Sequence, residues 1–410
     1  MTSIWKLASA VSGVSLIAMM TATTAYAQDD GSGDFEVGIE LDTIYESNVA
    51  NLSDERLQLA NIERSDIIVS PSVFLNLNKE IGGFSLRGSA SLGYDFYTKN
   101  SRLDSERALV SLDGETRISL CTVEPGLSFR RQQNDLGNRF FIDTPDLVLD
   151  NVQTVQEYRL NVGCGQEIGI RALGGVSFEK GDNSNEIRQL SDFESLTYHT
   201  GLGYHHPTIG ELDLFVSKEE TTYRNRVLDG IEDGYEVRRY GATFERDIGA
   251  RLKGRVEGFL VDVDTNLGGN TDFKGTGFNF DLSATLGART SAFLKFGQDV
   301  QPVLNNDALY MKARNFGVGA SFAVNERVTL NGSFTRLDRY YAYSEFLPQD
   351  DDVPLLADKL DQFTASADYR GPGRFGFSLY GGYENRSAND DFYNYSGLFA
   401  GMKLRYLLIR

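Results

Sequence analysis

The chain has 410 residues, and its 40 lysines and arginines against 58 aspartates and glutamates give a formal net charge of -18 at pH 7. Such an acidic chain repels phosphate backbones, so nucleic acid is excluded as an expected partner. Beyond its N-terminus, the chain has no stretch approaching the ~20 apolar residues of a membrane-spanning helix. A mean hydropathy below zero is still compatible with a membrane barrel, whose strands alternate apolar and polar side chains.

The first 27 residues have the three parts of a secretory signal peptide. Lys6 supplies a positive charge, residues 7–20 form an uncharged apolar stretch, and residues 25–27 read Ala-Tyr-Ala. Small residues of this kind surround signal cleavage sites. We therefore expect cleavage near Ala27 and a mature chain, 28–410, that forms one outer-membrane domain.

The mature chain is dominated by an alternation of period two. Residues 35–47 begin the pattern, with apolar or aromatic side chains at most odd positions and acidic ones at several even positions. This is the period of a strand with one apolar face. The alternation predicts about eighteen strands, an even number as expected of bacterial barrels. They lie near 35–47, 65–78, 83–98, 106–119, 121–133, 152–164, 167–179, 194–205, 210–223, 234–247, 249–264, 274–288, 290–300, 311–324, 327–341, 359–370, 374–387 and 394–408.

The connections between these segments alternate between short and long. The long connections fall near 48–64, 134–151, 180–193, 224–233, 265–273, 301–310, 342–358 and 388–393. Short periplasmic turns and long extracellular loops are typical of outer-membrane barrels. The sequence therefore predicts an all-β, transmembrane, antiparallel β-barrel of about 18 strands.

The polar face of the predicted strands indicates a hydrated lumen, because side chains cannot fill so wide a barrel. Basic and acidic side chains share this face. The lumen-facing candidates are Arg87, Arg117, Arg130, Arg159, Arg255, Lys295, Glu40, Glu115, Glu157 and Glu257. The basic residues predict guidance of an anionic solute, whereas the full set is also what a solvated wall of mixed charge would contain.

The two cysteines lie where neighbouring strands bring them together. Cys121 opens the fifth segment and Cys164 closes the sixth, both at the periplasmic end. In an oxidising compartment this placement is compatible with a disulfide, and two free thiols are the alternative.

The remaining motifs do not support catalysis or metal binding. Asp262 and Asp264 resemble the start of a calcium loop, but Leu267 occupies the position of the required glycine and Phe273 that of the bidentate glutamate. The few histidines do not form a Ser-His-carboxylate arrangement. We therefore expect no enzymatic activity, no metal and no cofactor.

The signal sequence, the early strand 35–48, turns such as 245–252 and the eighteen-strand pattern together resemble a family of β-barrel porins associated with exopolysaccharide and capsule export. The resemblance implies an outer-membrane conduit for secreted exopolysaccharide that works with periplasmic polysaccharide export proteins. Barrels of this class also imply contact with outer-membrane lipid and lipopolysaccharide, and insertion by the barrel assembly machinery.

Two other functions remain open at the level of the sequence. A general diffusion porin for small hydrophilic solutes needs the same polar lumen, and a surface adhesin or receptor would present the acidic loops. Conductance in planar bilayers distinguishes the channels from the adhesin, and surface polysaccharide in a deletion strain distinguishes the two channels.

Overall fold

The computed structural model describes residues 35–133, 151–267, 272–303, 308–343 and 355–409, so the predicted signal peptide, 1–27, lies outside the described residues. Eighteen strands make up most of the described chain. They are β1 Phe35–Glu46, β2 Asp66–Ile81, β3 Phe84–Tyr97, β4 Ser105–Ile118, β5 Cys121–Gln133, β6 Val152–Gly165, β7 Gly169–Asn183, β8 Phe193–His206, β9 Gly210–Leu228, β10 Ile231–Ile248, β11 Leu252–Thr265, β12 Phe273–Thr285, β13 Thr290–Pro302, β14 Tyr310–Ala323, β15 Val328–Ala342, β16 Ala357–Arg370, β17 Phe375–Ala388 and β18 Tyr395–Ile409.

The strands form a single closed antiparallel barrel. Each strand pairs with its neighbours in sequence, and β1 pairs with both β2 and β18. Closure satisfies the backbone groups that an open sheet edge would expose to lipid. The predicted fold class and strand number are therefore confirmed.

The outer face of the barrel is apolar. On β1, the outward side chains Ile39, Leu41 and Tyr45 are each more than 40% exposed, whereas the inward Asp42 is 4% exposed. Exposed apolar surface repeated around a whole barrel is unfavourable in water but matches the hydrocarbon of a bilayer. This alternation is what the sequence pattern predicts.

Outward-facing ion pairs border the apolar band near the extracellular ends of several strands. Lys218 of β9 lies 2.9 Å from Glu236 of β10, and Arg336 of β15 lies 2.5 Å from Asp361 of β16. Charged side chains are stable at the level of the lipid headgroups but not in the bilayer centre. The pairs therefore indicate the upper boundary of the lipid-facing band.

One predicted extracellular loop is wrong. The interval 224–233 is not a long loop, because β9 continues to Leu228 and β10 starts at Ile231. Asp229 and Gly230 connect them with φ angles of 52° and 80°. Positive φ at both central residues is the geometry of a type I′ hairpin turn, which favours Asp-Gly.

The extracellular loop after β1 carries a short helix, α1 (Asp54–Leu59), capped by the Ser53 side chain. The Arg56 guanidinium lies 5.2 Å from the ring centre of Phe392 and 5.1 Å from that of Tyr393, in the loop before β18. Cations are attracted to aromatic faces at such distances. The contacts hold the two loops together at the extracellular mouth. Within the described ranges, no helix is long and apolar enough to cross a membrane.

Candidate functional site: the barrel lumen

The extracellular ends of β13 and β14 fold into the lumen. The pairing of β11 with β12 continues up to Val263 and Phe273, but that of β12 with β13 stops at Phe278 and Gln298. Beyond this point β13 leaves the wall and stays paired with β14. We refer to residues 299–303 and 308–311 as the inner hairpin. The predicted connection 301–310 is confirmed in position, because β13 ends at Pro302 and β14 begins at Tyr310. Its described residues pack inside the barrel.

Apolar contacts hold the inner hairpin against the wall. On β13, Val300 lies on the same strand face as the outward-facing Phe296, and on β14, Tyr310 lies on the same face as the outward-facing Phe316. Val300 and Tyr310 are nevertheless only 2% and 1% exposed. Both pack in a cluster with inward-facing side chains of β9–β11, and the rings of Tyr310 and Tyr235 lie 5.6 Å apart. The hairpin thus buries its outer face on the inner wall, since burial of apolar surface is favourable.

A fully buried tyrosine on β9 binds both sides of the inner hairpin. The Tyr223 hydroxyl donates a hydrogen bond to the Leu309 carbonyl at 2.7 Å and accepts one from the Val303 amide at 3.3 Å. Tyr223 is 0% exposed. Because unpaired backbone groups are costly away from water, this hydroxyl stabilises the inward position.

A buried arginine on β10 provides a second anchor. The Arg239 guanidinium donates to Glu219 on β9 at 2.8 Å, to Asp299 at 3.1 Å and to the Val300 carbonyl at 3.0 Å. Arg239 is 7% exposed and Glu219 1%. Removing one member of such a buried ionic group leaves an uncompensated charge. The sequence reasoning missed this site, because no local pattern shows that β10 and β13 touch across the lumen.

The predicted lumen residues form ion pairs, with one exception. In these pairs a guanidinium or ammonium group lies 2.5–4.0 Å from a carboxylate, and three of the pairs join two residues of the predicted set. The pairs are Arg87–Glu115 at 4.0 Å, Arg159–Glu157 at 3.9 Å, Arg159–Asp113 at 2.5 Å, Arg255–Glu257 at 3.1 Å, Arg117–Glu167 at 2.9 Å, Lys295–Asp281 at 3.6 Å and Arg405–Glu40 at 2.8 Å. The exception is Arg130, which lines a cavity in the wall. The arrangement is that of a mixed-charge wall.

A second buried ionic group, also missed from the sequence, lies toward the extracellular end of β15–β17. Asp358 accepts two hydrogen bonds from Arg339, both at 2.7 Å, and one from Arg386 at 2.6 Å. All three residues are at most 5% exposed. The prediction assigned Asp358 to a loop, so nothing in the local sequence indicated the contact.

The cysteines face each other at the periplasmic end of β5 and β6. Cys121 and Cys164 are direct cross-strand partners. Their Cα atoms are 4.0 Å apart, and the sulfur atoms are joined at 2.04 Å. We propose that this bond forms in the oxidising periplasm.

Asp262 and Asp264, which resemble the start of a calcium loop in the sequence, form ion pairs with cationic side chains. Asp262 lies 2.9 Å from the Lys274 ammonium, and Asp264 lies 3.4 Å from the Arg238 guanidinium. Within the part of the chain that the structure describes, no group of three or more His, Cys, Asp or Glu side chains is arranged to hold a metal ion.

No protein-family model and no curated protein matches the sequence. Among solved structures, the barrel is similar to OccK2 (OpdF) of Pseudomonas aeruginosa in complex with glucuronate, at 12% identity and a TM-score of 0.47 over 92% of this chain and 99% of that one. It is also similar to a BenF-like porin from Pseudomonas fluorescens Pf-5, at 10% identity and a TM-score of 0.46 over 92% of this chain and 99% of that one. The same comparison with OpdK of Pseudomonas aeruginosa with vanillate gives 10% identity and a TM-score of 0.43 over 92% of this chain and 98% of that one. At these values the likeness carries no argument about the function of this chain.

Proposed function

We propose that this protein is an outer-membrane channel through which small hydrophilic solutes diffuse. The observation that supports it is the inner hairpin, whose Val300 and Tyr310 side chains are buried against the inner wall of a closed barrel. A barrel of eighteen strands is wide enough to hold water, and the hairpin narrows that space beside β9–β12. A narrowed aqueous lumen suits small solutes.

The same hairpin argues against the exopolysaccharide conduit that the resemblance implies. A polymer passage must admit the full width of a glycan chain, with its branches and hydration, at every level of the barrel. Here Tyr223 and Arg239 fix the hairpin with buried hydrogen bonds, and displacing it would break all of them. The small-solute channel is therefore favoured over polymer export.

The polar wall suits the passage of hydrophilic molecules. Glu40 illustrates its character, since it lies 2.8 Å from Arg405 and 3.2 Å from Lys403. Donors and acceptors along a pore replace part of the hydration shell of a passing solute. The proposal places the apolar outer band in contact with lipid and lipopolysaccharide.

Two measurements test the proposal. Purified protein that shows heat-modifiable gel migration, and is therefore folded, should give stepwise conductance in planar bilayers. A strain lacking the gene should take up small nutrients more slowly and keep its surface polysaccharide. A folded protein without conductance would contradict the proposal and favour the adhesin. Conductance together with loss of surface polysaccharide in the deletion strain would contradict it and restore the export hypothesis.

A further inference from the structure

A cavity of about 240 Å³ lies in the lumen wall of β3–β7. Its polar lining comes largely from one level of the barrel, because Ser89, Ser111, Ser128, Glu157 and Glu179 are successive cross-strand partners. Pockets that hold drug-sized ligands measure roughly 300–1,000 Å³. A cavity of this size fits a smaller molecule.

Arg130 also lines this cavity and supplies a positive charge. Among the described residues, no carboxylate lies within 4.0 Å of its guanidinium, and none accepts a hydrogen bond from it. Arginine has five N–H donors and stays charged at all relevant pH values. The guanidinium therefore has donors available for a ligand.

The two glutamates of the cavity differ in their surroundings. Glu157 accepts a hydrogen bond from Ser128 at 3.3 Å and lies 3.9 Å from Arg159. Glu179 is 6% exposed, and within the described ranges no cationic group lies within 4.0 Å of it. Arg130 and Glu179 line the same cavity without forming an ion pair.

We propose that this cavity binds a small zwitterion of the α-amino acid class. The ligand carboxylate would bind the Arg130 guanidinium, which recognises carboxylates with two parallel hydrogen bonds. The ligand ammonium would bind Glu179, and the Ser111 and Ser128 hydroxyls would satisfy further polar atoms. This inference deepens the proposed channel function by naming its substrate class.

The separated pair explains why a zwitterion fits better than a simple ion. An anion at Arg130 places a second negative charge near Glu179, and a cation at Glu179 leaves Arg130 unmatched. A buried charge is costly unless it is paired. A ligand ammonium beside Glu179 therefore stabilises the ionised carboxylate, while the ligand carboxylate pairs with Arg130. Leu109 and Val155 also line the cavity, so an aliphatic side chain on the ligand has apolar contacts.

Three probes of one shape test the proposal in single-channel recordings in KCl. L-leucine carries both charges, 4-methylpentanoate lacks the ammonium and 3-methylbutylamine lacks the carboxylate. We expect leucine to interrupt the wild-type current at lower concentration than either of the other two. Arg130→Gln should weaken leucine block about tenfold or more, as loss of a charge-assisted bond implies. Glu179→Gln should weaken leucine block but not that of 4-methylpentanoate.

Arg131→Gln is the matched control. Arg131 neighbours Arg130 on β5 but belongs to the outer face, where it lies 2.5 Å from Glu106. Its substitution should leave leucine block unchanged. Equal block by all three probes, or leucine block that survives both Arg130→Gln and Glu179→Gln, would overturn the proposal.

Calorimetry of leucine binding to the folded protein in detergent separates this inference from the channel function. Conductance without leucine binding overturns the amino-acid site alone. Leucine binding that Arg130→Gln abolishes, in a protein that does not conduct, supports the site and overturns the channel.

Discussion

Tyr223→Phe tests how firmly the inner hairpin is held. The substitution keeps the ring and removes the hydroxyl that contacts the Leu309 carbonyl at 2.7 Å and the Val303 amide at 3.3 Å. Each buried backbone group left unpaired costs about 1–3 kcal/mol. At the lower limit the two losses sum to about 2 kcal/mol, which shifts the ratio of inward to displaced hairpin by about thirtyfold. We expect larger and more variable single-channel conductance.

Tyr158→Phe is the control for this prediction. Its hydroxyl lies on the outer face, 3.3 Å from the Gln156 side chain, and Tyr158 is 48% exposed. The control should conduct like the wild type. If Tyr223→Phe folds into a heat-modifiable barrel and its conductance and fluctuations equal those of the wild type, the hairpin does not limit the pore.

Three further predictions concern stability. Arg239→Gln leaves Glu219 and Asp299 without their shared cation and should lower the free energy of unfolding by about 3–5 kcal/mol, measured by urea titration in detergent; an unchanged midpoint would contradict the buried ionic anchor. Replacing both Cys121 and Cys164 with serine opens a link across 43 residues and should cost about 4 kcal/mol; equal labelling of wild-type thiols with and without reductant would disprove the bond. In the loop before β8, burial raises the pKa of Asp192 from 3.8 to about 6. The folded loop thus holds this proton more tightly than the unfolded chain, so its stability contribution is complete below pH 3.8 and is lost as the pH rises through 6. Hydrogen exchange of residues 184–192, corrected for intrinsic rates, should be faster at pH 7.5 than at pH 5, and Asp192→Asn should remove the difference.

The barrel was predictable because lipid imposes a simple rule on every strand. Ile39 and Leu41 face the hydrocarbon and Asp42 faces the lumen, and this alternation is visible in the local sequence as a pattern of period two.

The Asp229-Gly230 turn also has a local signal, an Asp-Gly pair between two alternating segments. The prediction of a long loop over 224–233 overlooked this pair.

The inner hairpin was not predictable from alternation. Val300 and Tyr310 continue the lipid-facing pattern of their strands, and an apolar side chain looks the same whether lipid or the inner wall covers it. What distinguishes them is a contact between distant strands, such as Arg239 with Asp299. Similarly, parity predicts which charged side chains face the lumen, but their pairing depends on the register of neighbouring strands.

Liposome swelling with solutes of increasing size tests the central claim most directly. Proteoliposomes containing the folded wild-type barrel should admit monosaccharides and amino acids and exclude long oligosaccharides, and Tyr223→Phe should raise the size limit. Equal permeation of monosaccharides and long oligosaccharides through the wild-type protein would contradict a lumen narrowed by the inner hairpin.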